Sequence, residues 1–103
     1  MAALGTITLS KRNSKPAPVT LTGSSTVDSA ILDLTTMASP DGRALVQLVG
    51  DGAWAWADTN LAYASLEPVL ANQPLTLSIE AGGTKTIYLG ASSGTPKVHA
   101  KTL

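Results

Sequence analysis

Between Pro74 and the C-terminus, apolar side chains fall at every second position. Leu75, Leu77 and Ile79 alternate with Thr76, Ser78 and Glu80. Ile87 and Leu89 alternate with Thr86 and Tyr88, and Val98 and Ala100 with Lys97, His99 and Lys101. A period of two is that of a strand with one buried face, not of a helix. Ala81-Gly82-Gly83 separates the first two runs, and alternating runs around Gly-Gly read as a hairpin. Directly paired residues of a hairpin share a face. A two-residue loop at Gly82-Gly83 would set Ile79 against Thr86 and scatter the apolar set over both faces. An odd loop, Ala81-Gly82-Gly83 with Gly83 left-handed in a G1 bulge, restores it. With the run after Gly90 to Pro96, the C-terminal third reads as a three-stranded meander.

The same short-strand rhythm runs through the rest. Gly5 to Ser10 alternates and predicts a first strand. Lys11-Arg12-Asn13-Ser14-Lys15-Pro16-Ala17-Pro18 breaks it, because two prolines and three cations do not sit inside a sheet. Val19 to Thr22 is a short strand before a turn at Gly23 to Thr26. For Val27 to Met37 two readings stay open. One is a helix capped by Asp28 or Ser29. The other is a strand with Ala30, Leu32 and Leu34 inward, which the β-like neighbours and Thr35-Thr36 favour. Ser39-Pro40-Asp41-Gly42 is a turn by the chemistry of all its residues. Arg43 to Val49 is apolar enough to suggest a strand covered on both faces. After Gly50-Asp51-Gly52, Ala53-Trp54-Ala55-Trp56-Ala57 alternates large and small, so a strand here puts both indoles on one face. Asp58 to Asn72 is irregular, anchored by Leu61, Tyr63 and Leu66, and Glu67-Pro68 stops any helix.

Six to eight short strands with turns at Gly23, Gly42, Gly50-Asp51-Gly52, Gly82-Gly83 and Gly94 imply an all-β fold: an antiparallel β-sandwich or a jelly-roll-like barrel. Residues 1–18 are expected to form an N-terminal strand or arm with a basic loop, and residues 19–103 a single domain. The 103 residues suffice for one core, which in the absence of Phe must be Leu, Ile and Val with Trp54 or Trp56 as its largest member.

Seven Lys and Arg balance seven Asp and Glu, so the surplus of cations that phosphate binding requires is missing, and nucleic acid is not an expected partner. Charged residues are 14% of the chain, below the roughly 25% usual for soluble domains; such a surface relies on Ser, Thr, Asn and Gln or is covered by partners. With no cysteine, disulfides, thiolate catalysis and Cys-based metal sites are excluded. No run reaches the ~18 apolar residues of a membrane span. Met1-Ala2-Ala3-Leu4-Gly5 lacks a signal-peptide pattern, so synthesis in the cytosol is expected.

No catalytic set emerges, and no enzyme activity or cofactor is expected. His99, the single histidine, lies in a predicted strand on the face of Lys97 and Lys101, as an exposed or interface residue rather than a triad member. Asp33, Asp41, Asp51 and Asp58 lack the spacing of a calcium loop. Glu67 and Glu80 as a glycosidase pair compete with a simpler pairing of Glu80 with Lys85 or a threonine. Trp54 and Trp56 suit a sugar-stacking platform, a protein hot spot or the core; only Asp51, Asp58 and Asn60 stand near them in sequence to hold hydroxyls, which favours core or subunit contact. The residues expected at an interface are Lys11, Arg12, Lys15, Trp54, Trp56 and Tyr63.

From about Ala44 to Leu103 the order is an apolar strand, an Ala/Trp-rich segment, a Tyr-containing stretch and Glu67-Pro68-Val69-Leu70-Ala71-Asn72-Gln73-Pro74. A strand, Gly-Gly, an isoleucine strand and a Gly-Thr-x-x-Val ending follow. This order resembles small β-domain virion proteins of tailed bacteriophages. The resemblance implies a capsid decoration or cement protein that binds between capsid subunits, or a small head–tail or tail component. It also implies a homo-oligomer, with a threefold cluster as the favoured form and the first twenty or so residues as an arm reaching a neighbour. The alternative is a carbohydrate- or receptor-binding β-module of a phage tail.

Overall fold

The computed structural model describes residues 3–9, 18–36, 42–80 and 82–102. Among these the chain is all-β, with nine strands in two sheets and no α-helix long and apolar enough to cross a membrane. The strands are β1 (Ala3–Thr8), β2 (Val19–Thr20), β3 (Asp28–Asp33), β4 (Arg43–Gly50), β5 (Trp54–Ala57), β6 (Glu67–Val69), β7 (Leu75–Glu80), β8 (Thr84–Gly90) and β9 (Lys97–Thr102). A five-stranded sheet has the order β1-β3-β8-β5-β6 and a four-stranded sheet the order β2-β9-β4-β7. The sheets do not close into a barrel, so the sandwich is the correct member of the expected pair. The expected six to eight strands become nine because the irregular 58–72 segment supplies β6, beyond a 3-10 turn at Tyr63–Ser65.

One core lies between the sheets. Leu21, Val46, Leu48 and Val98 come to it from the four-stranded side, and Leu32, Ile87, Leu89 and Trp54 from the five-stranded side. Each such side chain contributes about 1.5–3 kcal/mol by leaving water. Over its described part, 27–36, the strand reading holds: β3 spans Asp28–Asp33, with Ala30, Leu32 and, just beyond the strand, Leu34 buried and Ile31 outward. The alternation, not the candidate helix cap, decided this, because a helix would have turned Leu32 away from Ala30 and Leu34.

The meander is corrected. β7 pairs only with β4, β8 with β3 and β5, and β9 with β2 and β4. From β7 to β9 the chain thus changes sheet twice, leaving the four-stranded sheet after Glu80 and returning to it at Lys97. No hairpin forms at Gly82-Gly83. Leu34 N–H donates to the Gly83 carbonyl and Gly82 N–H to the Leu34 carbonyl, both at 2.9 Å, so the connection runs beside the end of β3. The left-handed residue is Gly82 (φ 88°), not Gly83. The parity conflict disappears because Leu77 and Ile79 face Ile87 and Leu89 across the core instead of pairing along one sheet.

Three further expectations change. β4 is covered on one face, not both: Ala44, Val46 and Leu48 are buried, while Leu45 is 48% exposed and Val49 half-buried. The first strand is no free arm over residues 3–9. β1 pairs with β3, in parallel, in an otherwise antiparallel sandwich, and Ile7 and Leu9 enter the core. Leu61 is also no anchor, being 41% exposed, whereas Leu66 is buried.

Sheet edges set where the surface can react. β1 carries a register shift around Gly5 (φ 102°), β2 has two residues, and β6 has three, including Pro68. Bulges, brevity and proline all discourage pairing with another strand. β7 has six residues and none of these devices. Arg43 reaches across from β4 and donates to the Ser78 hydroxyl at 3.1 Å and the Ser78 carbonyl at 2.6 Å.

Candidate binding surfaces

The Trp-x-Trp segment is β5, and its alternation sorts the two faces as the sequence predicts. Ala55 and Ala57 point outward, where Leu66 covers them with Val27 and Tyr63 packed alongside. Both indoles point toward the core, but to different depths. Trp54 is 2% exposed and belongs to the core itself, whereas Trp56 is half-buried against it. Gly50 makes room for Trp54: a β-carbon there would stand 2.5 Å from the indole Cδ1. Among the described residues neither indole N–H meets a hydrogen-bond acceptor. Leaving a buried donor unmet costs about 1–3 kcal/mol.

Trp56 walls a cleft of about 360 Å³ at the end of the sandwich where β4 and β8 begin and β5 and β7 end. Arg43, Asp58, Leu77, Glu80 and Lys85 share that cleft. A second depression of about 320 Å³ shares Trp56 and Asp58 with it and is bordered by Ala57, Leu61, Ser65 and Glu67. The fold therefore surrounds one half-buried indole with charged groups that are up to forty-odd residues apart in sequence. Arg43, Glu80 and Lys85 could not be linked to Trp56 from the sequence, because each reaches the cleft from a different strand.

The outer face of the four-stranded sheet is a second candidate. Leu45, Gln47 and Val49 alternate outward along β4, opposite Ser78 and Thr76 on one side and Lys101 and His99 on the other. Gln47, Val49, His99 and Lys101 line a shallow depression of about 250 Å³. An apolar centre at Leu45 and Val49 is thus edged by Arg43, Lys97 and Lys101. The sequence signal for it was the apolar run of β4, interrupted only by Gln47 between Ala44 and Val49 and read there as double coverage.

Of the expected interface residues, Lys11, Arg12 and Lys15 lie outside the described residues, as does Asp41. Trp54 is internal, and Tyr63 is half-buried against the Ala55–Ala57 cluster. Glu80 stands opposite Arg43 in the β4–β7 register, and Lys85 lines the same cleft from the other sheet. The carboxylates are dispersed: among the described residues no three His, Asp or Glu cluster as metal ligands. Asp51 ties the β4–β5 turn to β9, its Oδ1 accepting from Lys97 N–H at 2.8 Å.

Asp33 closes β3. Its Oδ1 accepts from the Thr35 hydroxyl at 2.6 Å and the Thr35 N–H at 2.9 Å. These bonds, the hydroxyl's first, hold its carboxyl below the ordinary aspartate range. A depressed folded value means that this contribution to stability is present above the unfolded value of ~3.9 and lost as pH falls through the folded one. Thr35→Val is expected to move the Asp33 titration, followed by carboxyl NMR shifts, part of the way back to the ordinary range.

No family model matches the chain, and no match is found among the curated proteins or the solved structures.

Proposed function

We propose that this chain is a bacteriophage virion structural protein, a capsid decoration protein that stabilises the head by adhering between capsid subunits. In this reading copies of the chain cluster around a symmetry axis of the shell, and no reaction takes place. The observation that carries the reading is the outer face of the four-stranded sheet. There exposed Leu45 and half-buried Val49 sit amid Arg43, Lys97 and Lys101. Protein interfaces combine an apolar, desolvated centre with a polar rim in this way. Lys97 and Lys101 on β9 suit an acidic patch on the shell, which also steers the encounter, while Arg43 has Glu80 opposite it.

Co-sedimentation with intact capsids tests it. Leu45→Lys places a charge at the centre of the proposed contact and is expected to weaken retention at least about tenfold. Leu45 is half exposed, so folding stability should change by no more than about 0.5 kcal/mol. Failure of the unaltered chain to be retained by capsids, or full retention of Leu45→Lys, refutes the assignment of this face.

A further inference from the structure

We propose that the groove on either side of Trp56 is a binding site for a neutral oligosaccharide of two or more rings. The argument starts from the ring. A half-buried indole offers a rigid apolar face, and a sugar ring presents an apolar C–H face edged by hydroxyls. Around Trp56 the fold gathers the groups that hold hydroxyls. Asp58 and Glu80 are acceptors and Lys85 a donor suited to charge-assisted hydrogen bonds, beside Arg43, whose guanidinium already donates to Ser78. A concave apolar wall with a few convergent polar groups is the general form of a small-ligand site.

Two features narrow the ligand. The two depressions share Trp56 and Asp58 and lie side by side, so an occupant that fills both has more than one ring. The groove carries two cations, Arg43 and Lys85, and three carboxylates, Asp58, Glu80 and Glu67. This near-balance favours a neutral chain over a sulfated or phosphorylated one.

The unblunted edge of β7 borders the first depression, so an added β-strand is the competing occupant. Such a strand would follow β7 to keep its ladder bonds. The groove instead crosses β5 toward Leu61, Ser65 and Glu67, where no residue of β7 lies. A chain held by ring stacking and hydroxyl contacts can take that path. The proposal is independent of the capsid role.

The test is titration of the full chain with maltotriose, cellotriose, xylotriose and chitotriose, and a neutral glycan array, followed by tryptophan fluorescence. A saturable shift is expected with at least one of them, with the matching monosaccharide at least about tenfold weaker. Asp58→Asn, at an exposed position, is expected to weaken binding about tenfold with an unchanged thermal midpoint. Glu80→Gln provides a second such variant, because Trp56→Ala also disturbs packing. The proposal is overturned if every neutral glycan is silent at millimolar concentration, or if monosaccharide binds as well as trisaccharide. It also fails if both variants bind like the original, or if a peptide with the β7 sequence binds where no sugar does.

Discussion

Deletion of residues 1–18 is expected to lower the thermal midpoint by at least about 12 °C. Ile7 and Leu9 are buried in the core, and Leu4 packs against it. Removing Ile7 and Leu9 alone forfeits about 3–6 kcal/mol of burial, against a total of about 5–15 kcal/mol for a domain. The deletion also strips β1 from β3 and leaves β3 as a sheet edge. Circular dichroism melts of the truncated and full chains check this. A native spectrum with a drop of only a few degrees would mean that β1 is dispensable. The result governs how an arm on a neighbour can be tested: loss of capsid binding by this truncation would report unfolding. Replacing Lys11, Arg12 and Lys15 by alanine removes the positive charge of the 11–15 segment and leaves Ile7 and Leu9 in place.

Trp54→Ala is expected to cost about 3–5 kcal/mol, the usual range when a large buried aromatic is cut to a methyl. Trp54 is the largest side chain of a core without phenylalanine, and Gly50 is shaped to it. The surrounding strands hold each other through ladders on both sides and have little freedom to close the cavity. Trp54→Phe separates volume from polarity. It loses part of the ring but also the buried N–H that meets no acceptor among the described residues. The two effects oppose each other, and a net change under about 1.5 kcal/mol is expected. Urea denaturation of both variants checks the pair. A phenylalanine variant as unstable as the alanine one would show that the indole N–H is satisfied after all.

Much of the fold was legible because its signal is local. The strands expected from alternation, apolar runs and turn residues over 19–22, 43–49, 53–57, 75–80, 84–89 and 97–101 fall on β2, β4, β5, β7, β8 and β9, with ends that differ by a residue or two. The inward sets Ala30, Leu32, Leu34 and Val98, Ala100 follow from the same alternation. The placement of both indoles on one face of β5 also follows from the period of two. The candidate sites were less legible. Trp56 was singled out with Asp58, and Glu80 with Lys85, but nothing in the sequence joined the two pairs or added Arg43 to them.

What the amino-acid order determined by itself was which residues are strands and which face of each is apolar, because a side chain's direction along a strand is set by its own backbone. What only the tertiary structure decided was which strands pair. Gly82-Gly83 serves a hairpin and a change of sheet equally well, since either leaves Ile79 and Ile87 facing apolar neighbours. The choice rests on partners far away: β4 takes β7 and β9, and β3 takes β8 and β1. The same long-range pairing left Leu45 outward and brought Arg43, Glu80 and Lys85 beside Trp56. No neighbour in sequence carries that information.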